Sequence, residues 1–436
     1  MKVIAILFFS LTSLFAFSQV DLQCSPMLGY VEMREVGIWI QTTETAEVSL
    51  KFWPEKDKKQ VRSITDNTDK KSAYSRVFVC SDLEPGTTYD YEVYVNGAIK
   101  NKGNTFYTQP LWQYRTDPPE FKIALGSCTF INDTAYDRPG EPYGKDYRIF
   151  DEIAKKKPSA MLWLGDNVYF REVDWSTKSG MIYRYNQLRS LPEIQKLLSA
   201  CPHYAIWDDH DFGPNDSNGS FIHKDWSLEV FKTFWANNSY GMPGIEGGIT
   251  GQFALGDMEF FLLDNRYFRT EPNLEGIEPT ILGKEQMNWL IQALQYSKAP
   301  FKFVVIGGQV LNTAALFENY AQYPAERDSL LSLIDRNHIK GVVFLTGDRH
   351  CTELSVDTLS GGTVVYDLTV SPLTSKSYDN TAEKNNNRIQ KTSGPVQNFA
   401  TIDFKGKRKE RKMLITIYDA QGRKQWEHEI AENGGS

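Results

Sequence analysis

The nonapeptide Met161-Leu162-Trp163-Leu164-Gly165-Asp166-Asn167-Val168-Tyr169 decides how the chain is read. An apolar run of strand character drives into Gly165 and Asp166, and Tyr169 follows three residues after the carboxylate. Open α/β folds bind their ligands outside the carboxyl ends of their strands, so a strand ending in Gly-Asp delivers a carboxylate to a functional rim. A single Gly-Asp is equally the chemistry of an ordinary turn. Its meaning therefore rests on the neighbouring strand ends.

Working outward, strand patterns fall at 121–125, 160–164, 204–207, 251–255, 259–263, 303–306 and 342–345. Helical patterns fall at 146–157, 183–199, 226–237, 285–297 and 326–337. This alternation predicts an α/β domain over 120–436 with much parallel sheet. Strands return at 363–369, 399–404 and 413–418, and Tyr418-Asp-Ala-Gln-Gly-Arg reads as a hairpin turn. The polar stretch 379–393 reads as a mobile loop, and the charge runs 56–59 and 405–412 as solvated loops.

Ahead of this domain, 19–112 reads as short alternating strands, including Val36-Gly-Ile-Trp-Ile-Gln and Ala46-Glu-Val-Ser-Leu-Lys-Phe. The turn Leu83-Glu-Pro-Gly-Thr-Thr-Tyr89, leading into a strand, is the signature of a tyrosine corner in an Ig-like or fibronectin-like sandwich. Prolines 110, 118 and 119 mark the boundary. Residues 1–18 read as a secretory signal: Lys2, an apolar core, then Ala16-Phe17-Ser18. The mature protein is thus expected to be exported, to the periplasm or beyond the cell, with no membrane span and as a monomer.

The five cysteines are too few and too scattered for a disulfide framework, although a Cys24–Cys80 bridge would lie within the first domain. A net charge of −7 argues against a nucleic-acid-binding surface. Phosphate-bearing substrates are compatible with it where local cations offset the field.

Four strands of the α/β domain end in polar or metal-capable runs. They are Gly126-Ser127-Cys128, Gly165-Asp166-Asn167-Val168-Tyr169, Trp207-Asp208-Asp209-His210-Asp211 and Gly347-Asp348-Arg349-His350. Carboxylates gathered on one rim cannot all ionise without cations, so a metal centre with two or more ions is the natural resolution. His203, His338 and His428 lie away from these ends and read as structural; His223 follows a polar loop and reads either as pocket or as packing.

The order of these motifs resembles the metallophosphatase superfamily, and within it the PhoD-like alkaline phosphatases. The matching features are Gly-Ser-Cys, Gly-Asp-x-x-Tyr, Trp-Asp-Asp-His and Gly-Asp-x-His, with Leu263-Asp264-Asn265-Arg266 and the Leu282–Leu290 pattern beside them. The resemblance implies a four-layer αββα sandwich of calcineurin-like type, preceded by an all-β domain.

It also implies residue roles. Asp166 would bridge two metals, with Cys128, Tyr169 and His350 completing the first site. A tyrosine with a free pKa of about 10 is a phenolate at neutral pH only on a strong Lewis acid, which points to ferric iron there. Asp209 and Asp348 beside Asp166 offer all-oxygen ligation that suits calcium. His210 would protonate the leaving alkoxide or touch phosphate, and Arg266 would hold a non-bridging oxygen. Asn167, Asp208, Asp211, Gln309 and Asn312 would orient those ligands or touch the substrate.

The expected activity is hydrolysis of phosphate monoesters, and of diesters as well, by hydroxide formed on the metals. The second reading is a phosphodiesterase for nucleotide, phospholipid or teichoic-acid-like substrates, small or polymeric. From another class, a secreted binding protein with a structural metal site would leave His210 and the thiolate without a use.

Overall fold

The computed structural model describes residues 20–432; the secretory-signal expectation for 1–18 lies outside them. Strands β1 (Met27–Val31), β2 (Val36–Gln41) and β5 (Ser75–Cys80) form one small sheet. Strands β3 (Ala46–Pro54), β4 (Arg62–Thr68), β6 (Thr88–Val95) and β7 (Ala98–Tyr107) form a second, in the order β4-β3-β6-β7. The Tyr89 hydroxyl accepts from the Glu84 amide at 2.9 Å, closing the tyrosine corner.

The larger domain holds two six-stranded sheets. The first runs β10 (His203–Ile206), β9 (Ala160–Leu164), β8 (Phe121–Gly126), β17 (Asn398–Lys405), β18 (Lys412–Asp419) and β19 (Lys424–Ala431). The second runs β11 (Gly251–Leu255), β12 (Met258–Leu262), β13 (Lys302–Val305), β14 (Val342–Thr346), β16 (Val364–Thr369) and β15 (Glu353–Thr358). β8, β9 and β10 are parallel, as are β12, β13, β14 and β16.

Period-two alternation divides the core. Phe260, Phe303, Val305, Val343 and Leu345 point between the sheets, while Phe261, Val304, Val342 and Phe344 point outward. The outward set is covered by α6 (Gly283–Tyr296) and α7 (Pro324–Arg336). On the other side α1 (Ile149–Lys155), α2 (Lys178–Arg189), α3 (Gln195–Ala200) and α5 (Lys224–Phe234) cover the first sheet, and α4 (Asp209–Phe212) is one turn at a strand end. The result is an αββα four-layer sandwich. Stacked rings run between its sheets, Tyr204 on Phe253, Phe253 on Phe260 and Phe260 on Phe303.

The leading sandwich docks on this body through Trp39. That side chain is fully buried, and its indole donates to the Thr233 carbonyl at 2.7 Å. Truncating a buried Trp costs about 3–5 kcal/mol, so the two domains are joined by real packing.

Four expectations need correcting. The helix expected at 183–199 is broken, because Pro192 lacks an N–H and pushes Leu191 to ψ 126°. The segment 379–393 is pinned rather than mobile. Asn380, Asn385 and Arg388 all donate to the fully buried Glu353, at 3.0, 3.1 and 2.6 Å. The run 405–412 is not wholly solvated, since Arg411 is buried and pairs with Asp257 at 3.0 Å. Finally, all five cysteines are free: Cys24 sits in the core shared with the large domain and Cys80 in the core of the sandwich.

His203 is structural in a way that carries a pH prediction. Its Nδ1 accepts from the Trp163 indole at 2.9 Å, and its Nε2 lies 3.0 Å from the Leu197 carbonyl. An indole can only donate and a carbonyl only accept, so the ring is neutral with its proton on Nε2. Burial pushes its pKa down to about 3. A folded pKa below the unfolded one means stability is present above the unfolded value and lost as pH falls. His203→Gln keeps one acceptor and one donor. It should remove about 2 kcal/mol of the stability loss between pH 6.5 and 5, read as the wild-type-minus-variant difference in urea unfolding.

Candidate metal centre

The carboxyl ends of the parallel strands from both sheets meet on one rim. β8 leads to Cys128, β9 to Asp166, β10 to Asp208 and Asp209, β12 to Asp264 and Arg266, and β14 to Asp348. The chain makes room for this crowding with glycine. Gly165 has φ +95°, and a Cβ there would lie 2.8 Å from that of Asp208; a methyl on Gly307 would overlap Asp208 Oδ2. Cys128, Asp166, Asp348 and His350 all adopt positive φ, at 61°, 51°, 64° and 50°. Each such residue costs on the order of 1–3 kcal/mol and persists where its surroundings hold it, as at binding sites.

The first group is tight. Donor atoms of Cys128, Asp166 and His350 lie within 4.8 Å of one another. The Tyr169 hydroxyl is 3.1 Å from Asp166 Oδ2 and 2.9 Å from His350 Nε2. His350 Nδ1 lies 2.8 Å from the Lys376 carbonyl, which can only accept, so the proton sits on Nδ1 and Nε2 turns a bare lone pair toward the group.

The second group joins it through Asp209. Asp166, Asp209 and His210 form one cluster of donor atoms, and Asp208, Asp209 and Asp348 another, each within the same 4.8 Å limit. Asp209 Oδ2 accepts the Asp216 amide at 2.8 Å, while Asp209 Oδ1 and Asp208 Oδ2 are buried without a hydrogen bond, Arg266 Nη2 standing 3.8 Å from the former. Unsatisfied buried carboxylate oxygens are costly, and here they face other carboxylates.

Electrostatics give the same account. Burial, then repulsion from Asp209, Asp208, Asp211 and Asp348, pushes Asp166 well above the carboxylate range. Burial and the neighbouring acids likewise raise Asp348, and burial with Asp166 raises Cys128 and Tyr169. Asp208 is pushed up to about 6 by burial, with Arg266 opposing. Asp209 is held below its usual range: burial works against this, and the charges of His210 and Arg266 overcome it. Burial also lowers His350 to about 4 and lowers His210. Asp209 apart, the pocket thus resists holding these anions unaided, the condition that bound cations relieve. The donor set, the bare Nε2 and the orphaned oxygens fit metal ions.

Other predicted residues are placed differently. Arg266 is fully buried and makes four hydrogen bonds. Nε donates to Asp208 at 2.5 Å, Nη1 to the Ser217 carbonyl at 3.2 Å and to Glu318 at 2.8 Å, and Nη2 pairs with Glu318 and Asp208. Four hydrogen bonds and an ion pair hold Arg266 within the fold, which makes it a clamp on Asp208 where a phosphate contact was expected.

Gln309 and Asn312 also turn away. Gln309 Nε2 donates to Glu353 and Thr369, and Asn312 Nδ2 donates to Gln309 at 2.8 Å. Asp211 accepts the Asp208 amide at 2.6 Å and both nitrogens of Asn167, bracing the turn that carries Asp209. His223 stacks on Trp226 with ring centroids 4.2 Å apart.

Sequence reading overlooked Glu318, Arg349 and Tyr143. Asp209, Asp216 and Glu318 form a further cluster of donor oxygens. Glu318 sits in a loop with no periodicity to flag it. Arg349 lay inside a quoted motif; it pairs with Glu383 at 2.5 Å and lines the cavity over Asp209 and Asp348. The Tyr143 hydroxyl is 3.2 Å from His350 Nδ1. That cavity, of about 680 Å³, is walled by the large domain alone.

The geometry can be set beside known proteins. A family model described as PhoD-like phosphatase matches residues 127–417, and one described as a domain of unknown function (DUF7800) matches residues 19–109. Alkaline phosphatase D of Bacillus subtilis (strain 168) is 24% identical over 346 residues. The match covers 68% of this chain but 56% of the relative, so the chain spans little more than half of that protein's length.

Among solved structures, PhoD superposes with a TM-score of 0.76 at 17% identity, covering 94% of this chain and 92% of its own. The purple acid phosphatase PPD1 from yellow lupin (Lupinus luteus) seeds does so at 0.68 and 12%, covering 93% and 74%. At those identities the likeness is one of fold, and it extends through both domains.

Proposed function

The chain belongs to the PhoD-like phosphatase family, and from that premise we propose that the strand-end rim is the catalytic centre of an exported, metal-dependent phosphoesterase acting on phosphate monoesters and diesters. The observation that carries this reading is the joint placement of Cys128, Asp166, Tyr169 and His350 around one point, with Asp209 and Asp348 around the next. Asp166 stands between the two groups as the shared ligand. Thiolate, phenolate and imidazole suit iron in the first group, and carboxylate oxygens alone suit calcium in the second. Bound there, such ions supply Lewis acidity that activates water and neutralises charge on phosphoryl oxygens.

The chain's own residues do the rest. His350 is locked in one tautomer by the Lys376 carbonyl. Arg266 and Asn265 fix Asp208, which backs Asp209. His210 has its Nε2 3.8 Å from Asp209 and its side chain 22% exposed at the cavity wall, placed to hand a proton to the leaving oxygen. A phosphodiesterase reading gains from a second cavity that also reaches His210, since a diester needs room on both sides of phosphorus.

Metal analysis of protein purified without added chelator should find iron together with calcium, and a visible tyrosinate-to-iron absorption band. Tyr169→Phe should bleach that band while leaving the fold intact by circular dichroism. Zinc alone, or a band that survives Tyr169→Phe, would overturn the ligand assignment.

A further inference from the structure

His210 faces two cavities. The first, already described, holds Asp209 and Asp348. The second, about 970 Å³, opens between the loop that carries Phe130 to Tyr143 and the segment from Tyr169 to Trp175. His210, Tyr143 and Asn215 line both and form the divide. The second cavity contains none of the carboxylates of the metal centre; of that centre's donor residues, Tyr169 and His210 reach this wall.

Its lining has a definite chemistry. Phe130, Phe170 and Trp175 give it aromatic surface, with Phe130 packed edge-on against Tyr143 at 4.9 Å. Its two arginines are already committed. Arg171 pairs with Asp137 at 2.8 Å, donates to the carbonyls of Ile131 and Tyr169, and covers Phe130 with its guanidinium 3.9 Å from the ring centre. Arg138 gives two hydrogen bonds to Glu172. Among the described lining residues both arginines are matched by carboxylates, with Glu141 a further acid, so the wall offers no excess positive charge to an anionic ligand, and the aromatic walls favour a flat, apolar body.

We infer that this second cavity is the leaving-group subsite, and that it selects esters whose leaving alcohol is uncharged and carries a ring. The inference rests on the phosphoesterase reading. With the phosphoryl group among Asp209, Asp348 and His350, the leaving oxygen meets His210, and the group attached to it passes the divide into the aromatic cavity. On hydrolysis the P–O bond to that group breaks as a new P–O bond forms to the oxygen of water; one proton of that water reaches the departing alcohol by way of His210, and the other stays with the phosphate.

The test compares kcat/KM of the metal-loaded enzyme for benzyl phosphate and methyl phosphate, whose leaving alcohols are similar in acidity. Phosphoglycolate and phosphocholine serve as anionic and cationic counterparts. Burying a ring predicts a benzyl preference of about 10- to 100-fold over methyl. Trp175→Ala should cut that ratio at least about tenfold, mainly through KM, and Trp175→Phe should restore most of it.

Equal rates for benzyl and methyl phosphate would overturn the subsite, as would a preference for either charged ester. So would a Trp175→Ala loss shared equally by all four substrates, which would mark Trp175 as merely structural. Absence of hydrolysis for every ester would overturn the phosphoesterase reading and the subsite with it, an outcome distinct from unselective hydrolysis.

Discussion

Asp166→Asn should abolish turnover and at the same time reverse its effect on stability according to metal content. Loss of kcat/KM is expected on the order of 10³-fold or more, because outer partners of metal ligands alone cost roughly 10- to 100-fold. The stability effect is the sharper result. Without metal, Asp166 is a buried acid crowded by Asp209, Asp208, Asp211 and Asp348, and its pKa is raised. A raised folded pKa means that stability present at low pH is lost as pH rises past the unfolded value, so at neutral pH the ionised group works against folding. Asparagine removes that charge.

The chelated variant should therefore melt at or above chelated wild type at pH 7.5. The metal-loaded variant should melt below loaded wild type, which gains about 3–4 kcal/mol at ion concentrations of roughly 100 to 1,000 times Kd. Equal destabilisation with and without metal would show that Asp166 is a packing residue rather than a shared ligand.

Arg266→Met is expected to cost about 3–5 kcal/mol in urea unfolding, the range for removing one partner of a buried ion pair. It would leave Asp208 and Glu318 facing each other without their common counter-charge. A second change, Asp208→Asn, should recover part of that loss, since it removes the charge left without a counter-ion, whereas Glu318 keeps Arg269 at 2.8 Å. Activity in Arg266→Met should fall as well, because Asp208 and Arg266 brace Asp209. The pattern that would overturn the clamp is a stable variant with a raised KM alone, the signature of a direct phosphate contact.

The leading sandwich contributes differently. Neither cavity is lined by any of its described residues. Its contacts with the large domain include Trp39 on Thr233, Val31 on Tyr204 and Gln109 on Ala254.

Much of this protein is determined locally and can be read from its sequence. Period-two and helical patterns mark most of the large domain's strands and helices, because alternation of buried and exposed side chains is imposed by backbone geometry alone. The glycines and polar runs at the ends of β8, β9, β10 and β14 mark the rim, since only a strand end can present so many donors without burying them in a sheet. The weakly patterned strands β4, β7 and β19 escaped notice: most of their outward residues are polar and the alternation is shallow.

What tertiary structure alone decided is which donors and acceptors are consumed before a ligand arrives. Arg266 meets Asp208 and Glu318, 58 and 52 residues away in sequence; Gln309 meets Glu353; and Glu353 gathers the segment that composition marks as mobile. A side chain's chemistry is written at its own position, but its availability depends on partners that only folding brings within 3 Å, and burial makes each such pairing obligatory.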